Sequence, residues 1–422
     1  MTDIHVRGLS ESEATVFDDL MRVTGGHIRE EFHTTLAEWR HAGAVHEIDF
    51  LAEFGARSPM QNHGGRAFSV FGYNEAVEVL RDPQRFSSEA VRHSSGRAFG
   101  KTIITEDPPE HTQIRRLAQG LFTRKALDDW KTELFEPVIR AYVAEILPRG
   151  GADLHRDLLM SFPVTVLHRM LGLDVDPERA EWFHRCALQI LGIRGDNPAP
   201  GLQVLEELYA YFLTLIETRR REIAEGTERH DIITQLVAKN DAEGLVDDEE
   251  LARFLRILLP GGADTTTNAS GNMFVDLLRY PDQLEKVRAN PDLFEACVDE
   301  TIRHENTSAA VYRGVTADTE LAGVAMPAGS IVACVLGSAN RDERRYDDAD
   351  QFIVDRQPGG HVGFGHGLHL CIGAQMARVE MSVALEVILE QMPLLRPDPA
   401  YEPPYVRGAL HRHPGHLKVR WD

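Results

Sequence analysis

The segment Phe364-Gly365-His366-Gly367-Leu368-His369-Leu370-Cys371-Ile372-Gly373 constrains this chain more than any other. Its glycines let the backbone turn tightly, adopt left-handed conformations and approach something large and flat. Residues 374–392 then read as a strong helix, which puts Cys371 just before a helix N-terminus. Free backbone N–H groups and the helix dipole at such an end favour an anionic sulfur, so the spacing predicts a lowered thiol pKa. A thiolate there suits a soft metal. His369, two residues away, can donate to an anionic group beside it. The alternative is a buried structural cysteine in a glycine-rich turn. Zinc is poorly served, because no second Cys/His pair has zinc spacing.

Helical patterns dominate the remaining 412 positions of the 422-residue chain. Leu205, Leu208, Phe212 and Ile216 recur at three- and four-residue spacing and predict one amphipathic helix over Gly201–Gly226. Asp247 is placed to cap a second helix, with Glu250 completing a capping box. Strand signals are short: Arg66–Phe71, Val311–Val315 and Gly329–Cys334. Breakers at Gly150-Gly151 and around 196–201 are too short for domain linkers, though the second predicts a mobile loop near 195–201. The expected architecture is mainly α with small β-sheets. It is one domain over 1–422, with about residues 1–30 as a mobile N-terminal segment.

Within the second helix, Pro260, Gly261 and Gly262 interrupt the pattern. Proline lacks an N–H and clashes with the preceding turn, and glycine weakens the helix further. The sequence therefore predicts a kink or bulge with freed carbonyls, directly followed by Asp264 and Thr265. Taken alone, this could equally be a helix end with a fresh Asp/Thr cap. Glu300 and Arg303 stand at i,i+3 on one helical face, a spacing that usually means a surface pair of a few tenths of a kcal/mol.

The pattern Phe-Gly-x-Gly-x-His-x-Cys-x-Gly, followed by Ala377-Arg378-x-Glu380, resembles the cytochrome P450 family over roughly residues 66–420. That resemblance implies a P450 fold with haem b buried between a distal and a proximal helix, and Cys371 as the axial thiolate, whose electron donation favours O–O cleavage. The Pro260 kink then looks like the groove admitting dioxygen, with Thr265 facing it and Asp264 relaying protons. His111, Arg115, Arg313 and His369 would hold the propionates, and Phe364 and Gly373 would complete the cofactor's bed. Glu300, Arg303 and Arg356 would form a buried structural triad. Asn306-Thr307 departs from the family's usual Pro-Pro and leaves the next turn's geometry open.

The resemblance also implies a monooxygenase that uses O2 and NAD(P)H-derived electrons. No flavin or iron–sulfur motif and no nucleotide fingerprint is present, so a separate ferredoxin and ferredoxin reductase are the expected supply. Arg115, Arg116, Arg124 and Lys125 could steer such a partner, or could be a solvated helix face. The formal net charge of −21 argues against nucleic-acid binding through bulk charge. The absence of any long apolar run argues against a membrane span and points to the cytoplasm. The substrate is expected to be a small apolar molecule, hydroxylated or O-dealkylated, with terpenoids and aromatic acids both open. Leu258, Gly261, Ala263, Ala309, Ala310, Val311 and Leu410 would line its pocket. Arg92, Arg97 or Arg194 could anchor a carboxylate or be solvated. Two other readings stand beside this one: a peroxide-driven haem peroxygenase, and a non-catalytic haem-thiolate binding or sensor protein.

Overall fold

A computed structural model describes residues 26–422, apart from 30, 62, 94, 174–175, 192, 194–196 and 357–359. The expected N-terminal segment 1–30 therefore falls almost wholly outside the described residues. The helices that frame the site are α1 (Glu31–Ala42), α2 (Glu110–Ala118), α3 (Glu136–Ile146), α4 (Pro177–Leu191), α5 (Ala199–Ala224), α6 (Asp248–Leu259), α7 (Thr265–Arg279), α8 (Phe294–His304) and α9 (Ala374–Gln391). None of the described helices is long and apolar enough to cross a membrane.

Helix α5 buries Leu205, Leu208, Phe212 and Ile216, the residues whose spacing predicts it. It begins two residues earlier than expected, so 199–201 are helical, while 194–196 lie outside the described residues. Gly201 explains the close packing there. A Cβ on it would stand 2.4 Å from the Gln189 carbonyl oxygen of α4.

The main sheet has five strands: β1 (Val45–His46), β2 (Ala67–Val70), β3 (Phe86–Ser87), β4 (Val311–Val315) and β5 (Ile331–Cys334). Their order is β1-β2-β5-β4-β3. β2 and β5 run parallel with Ala67 opposite Ile331, and β5 pairs antiparallel with β4, placing Arg313 opposite Val332. All four residues of β5 are buried, as expected of a central strand covered on both faces. Smaller sheets and hairpins account for the remaining described strands, including Val406–Arg407 paired with His413–Pro414.

The core is largely one cluster in which α3, α5, α6, α7 and α9 contribute Tyr142, Phe212, Phe254, Phe274 and Ile388 among others. Helix α7 runs through its middle: Thr266 to Leu278 are buried without interruption. Polar Thr266, Thr267, Asn268, Ser270, Asn272 and Asp276 are among them, so the helix is enclosed on all sides although its sequence is not uniformly apolar. That burial is what fixes the direction of the Asp264-Thr265 pair at its start.

The triad expected from Glu300, Arg303 and Arg356 is buried, not a surface pair. Arg303 donates to both Glu300 oxygens (2.7 and 2.8 Å), and Arg356 Nε donates to Glu300 Oε1 (3.1 Å). Burial would raise the Glu300 carboxyl, but the Arg303 hydrogen bonds and charge win and hold it below its usual range.

Candidate active site

Asp247 caps α6 as the sequence predicts. Its Oδ1 accepts from Glu250 N (2.7 Å), and Glu250 Oε2 accepts from Asp247 N (3.1 Å). At the other end the helix does not stop. Residues Pro260–Asp264 form a single wide π-helical turn that joins α6 to α7. This is the bulge that Pro260 and the two glycines call for. Thr265 Oγ1 donates to the Gly261 carbonyl (2.7 Å), one of the carbonyls the bulge releases. Asn268 Nδ2 donates to Asp264 Oδ1 (2.8 Å), a hold from the next turn.

The two glycines differ in surroundings. Gly262 faces Leu167, whose Cδ2 would lie 3.7 Å from an added Cβ, whereas Gly261 has open space there. Leu258, Val311 and Leu410 keep partial exposure, while Ala263 and Ala310 are mostly covered. Ala309 is fully buried, in a cluster with Phe32 and Tyr312, and its Cβ lies near Gly337.

Four hydrogen bonds shape the cysteine loop. Gly365 N donates to Val362 O (2.8 Å), Leu370 N to Gly367 O (3.1 Å) and Cys371 N to Phe364 O (2.9 Å). Arg115 Nη1 reaches in from α2 to Leu370 O (2.8 Å). Gly365 and Gly367 have φ of 74° and 70°, the left-handed region that other residues avoid. Gly367 is doubly constrained, since an added Cβ would meet Leu80 O at 2.4 Å.

Of the four cysteines, Cys186, Cys297 and Cys334 are buried and Cys371 is exposed. One expectation about Cys371 fails in the protein alone. Burial pushes its thiol up, and the Gly373 N–H, Arg115 and Arg378 only partly oppose this. The helix start is thus not enough to ionise the sulfur. A cation bound to it would be. The Cys371 side chain itself remains accessible. Gly373, beside it, also has open space where a Cβ would stand.

The four expected propionate contacts do converge. The His111 and His369 rings lie 4.3 Å apart between centroids. Burial lowers His111, with the Arg115 and Arg313 charges adding to it. Burial and the Arg313 and His111 charges lower His369 to about 3. Asp107 is the opposing charge, 3.8 Å from His369 Nε2, which also pairs with Ser88 Oγ at 2.9 Å. Arg313 is buried and spends one donor on the Tyr312 carbonyl (2.7 Å). Both ring nitrogens of His111 are buried without a partner among the described residues. Buried polar atoms are rarely left so. Two arginines, two histidines and an orphaned donor fit a cofactor that carries two carboxylates.

Several functional contacts escape sequence reasoning. Glu305 accepts from Arg412 Nε (3.0 Å), Arg341 Nη2 (3.3 Å) and His33 Nε2 (3.1 Å). Arg412 N donates to Thr307 O (2.8 Å), and Ala309 N donates to Leu410 O (2.9 Å). These bonds stitch the segment around 305–309 to the C-terminal hairpin. Asn306 replaces proline by accepting from Ser308 N (3.1 Å), which fixes the turn with a side chain. Asp276, His304 and Glu305 bring ligand atoms within 4.8 Å of one another. Arg341 and Arg412 already neutralise Glu305 there.

Among the expected carboxylate anchors, Arg92 is paired with the buried Glu106 (Nε to Oε1, 3.0 Å). Arg194 and the Arg97 side chain lie outside the described residues. The basic cluster also thins out. Arg115 turns to the cysteine loop, Arg116 pairs with Glu243 (2.8 Å), Lys125 is exposed, and the Arg124 side chain lies outside the description.

The family model "Cytochrome P450" matches residues 201–419. The cytochrome P450 monooxygenase PikC of Streptomyces venezuelae is 32% identical over 411 residues, 92% of this chain and 91% of that protein. The erythromycin C-12 hydroxylase of Saccharopolyspora erythraea is 33% identical, over 83% of this chain and 88% of its own length. Among solved structures, cytochrome P450 CYP109Q5 from Chondromyces apiculatus superposes with a TM-score of 0.79 at 30% identity, covering 93% of this chain and 95% of that one. The myxobacterial CYP267B1 in complex with myristic acid gives 0.80 at 26% identity, covering 95% and 99%.

Proposed function

This chain belongs to the cytochrome P450 family of haem monooxygenases, and from that premise we propose that Cys371 is the thiolate ligand of its haem b. The haem supplies activation of dioxygen, with electrons drawn from NAD(P)H through redox partners. The observation that carries the assignment is that Cys371, alone of the four cysteines, is accessible. His111, Arg115, Arg313 and His369 hold the propionates, with Phe364 and Gly373 shaping the bed of the ring. The whole chain works as one domain, and its net charge of −21 suits a soluble protein of the cytoplasm.

Thr265 and Asp264 manage protons on the opposite side. The Thr265 hydroxyl hydrogen is committed to the Gly261 carbonyl, so its oxygen is left to accept from whatever occupies the groove. Asp264, steadied by Asn268, relays protons toward that place. In a Thr265→Ala enzyme we expect product per NAD(P)H to fall by about tenfold or more, with peroxide taking up the missing electrons. Product and peroxide are quantified together, and unchanged coupling overturns the relay role.

The substrate is an apolar molecule held by Leu258, Gly261, Ala310, Val311 and Leu410, with Ala263 beside them. Hydroxylation is favoured over O-dealkylation because relatives named for their reaction, such as the erythromycin C-12 hydroxylase, are hydroxylases. The electron donor is a ferredoxin served by its reductase, steered by the exposed side chains of Lys125 and of Arg116, the latter shared with Glu243. If so, the rate of first-electron transfer falls as salt is raised, and Arg116→Glu slows it further. A salt-independent rate in stopped-flow reduction speaks against a charge-steered ferredoxin.

A further inference from the structure

The Phe364 ring, at the start of the cysteine loop, is boxed by two basic side chains. The Arg378 guanidinium carbon lies 4.6 Å from its centroid, and the His361 ring centroid lies 5.6 Å away. Both side chains end on one carboxylate. Arg378 Nε donates to Asp299 Oδ1 (2.6 Å), and His361 Nε2 lies 3.4 Å from the same oxygen. His361 Nδ1 accepts from Gly363 N (3.1 Å), which assigns the ring proton to Nε2 and makes it a donor to Asp299. The loop lies hard against α8, since an added Cβ on Gly363 would meet Ile302 Cγ2 at 2.5 Å. Phe364, so held, passes its carbonyl to Cys371 N at 2.9 Å. Burial would raise the Asp299 carboxyl, but His361 and Arg378 hold it below its usual range, so it stays charged.

We propose that Asp299 and Arg378 are a compensating charge pair beside the cysteine loop, so that neither charge alone shifts the reduction potential of the haem. They are positioning residues, since neither touches the cofactor's ligand. The physical reason is sign. A cation near the site favours the reduced state, which carries one more electron, and an anion disfavours it. In the native pair the two largely cancel. The inference rests on Cys371 as the ligand.

The test is a spectroscopic redox titration of the haem-loaded protein, with the carbon monoxide spectrum of each variant recorded beside it. Asp299→Asn leaves Arg378 uncompensated and is expected to raise the potential. Arg378→Gln leaves Asp299 uncompensated and is expected to lower it. Each should shift the reduced-to-oxidised equilibrium by about three- to tenfold, tenfold being about 59 mV for one electron. The double variant should return toward the parent, and Arg378→Lys should stay within about twofold of it, because charge is what matters. Shifts in the same direction for both single variants would mean a loosened loop and would overturn the proposal. Shifts below about 1.5-fold in both would overturn it too. Loss of the red-shifted carbon monoxide band only in Cys371→Ser separates this outcome from failure of the ligand assignment.

Discussion

Cys371→Ser is expected to abolish the red-shifted Soret band of the reduced carbon monoxide complex and to take monooxygenase turnover below detection. Serine keeps the size of the side chain and can still accept from the Gly373 N–H, so the loop should survive. What is lost is the soft, anionic sulfur. A serine hydroxyl neither ionises readily nor pushes electron density as a thiolate does. No other cysteine can take over. Cys186, Cys297 and Cys334 are packed into the hydrophobic core with at most 1% of their surface exposed. The measurement is the difference spectrum of parent and variant at equal haem content. A red-shifted band persisting in the variant refutes the assignment, and with it the placement of the site on the cysteine loop.

The cysteine result also bears on how a thiolate is made here. Helix-start electrostatics alone predicts an ionised sulfur, and the structure reverses that for the protein by itself. The reason is dimensional. A helix end stabilises a charge by about 0.3–1 kcal/mol when exposed. Withdrawing a thiolate from water costs more than that unless a cation compensates. The loop's contribution would therefore be shape: Gly365 and Gly367 let the chain turn tightly before Cys371, and a bound haem iron would supply the cation that the sulfur lacks.

The features that were legible in the sequence share one property, which is that their cause lies within a few residues. The bulge at Pro260–Asp264 follows from missing N–H and Cβ groups in that very turn. The Asp247 cap and the Glu300–Arg303 pair are set by three-residue spacings. Glu305 shows the opposite case. Its partners His33 and Arg412 lie 272 and 107 residues away, and nothing local marks Glu305 as their meeting point. Ala309 is a related case. Its small size suggests room over the cofactor, and only the folded chain shows it fully buried beside Gly337. The Asp299 hub was hidden because its partners Arg378 and His361 lie 79 and 62 residues away and meet it only once the chain is folded.

Arg303→Ala should cost about 3–5 kcal/mol of stability, the range for breaking a buried ion pair from one side. Arg303 and Glu300 side chains each retain only 3% of their exposure. Beyond Glu300, Arg303 Nη1 donates to the Asn340 and Ala349 carbonyls (2.9 and 2.7 Å), and Nη2 to the Gln351 carbonyl (2.9 Å). Alanine leaves the Asn340 and Ala349 carbonyls without Arg303, while the Gln351 carbonyl keeps Arg356 Nη2 (3.0 Å) and Glu300 keeps Arg356 and the Ile353 N–H. The damage should reach the cofactor. Asn340, one of the residues Arg303 holds, accepts from Val362 N through its Oδ1 (2.8 Å) and so anchors the approach to the cysteine loop. Haem loss should therefore precede or accompany unfolding when denaturant is added, followed by the Soret band and by circular dichroism. Arg356→Ala should be milder, because that side chain is more exposed and Glu300 keeps Arg303. If Arg303→Ala costs less than about 1 kcal/mol, as an exposed pair would, the three residues are not the keystone of the haem loop. The loop's geometry would then have to be held by its own turns and by the Asp299 contacts alone.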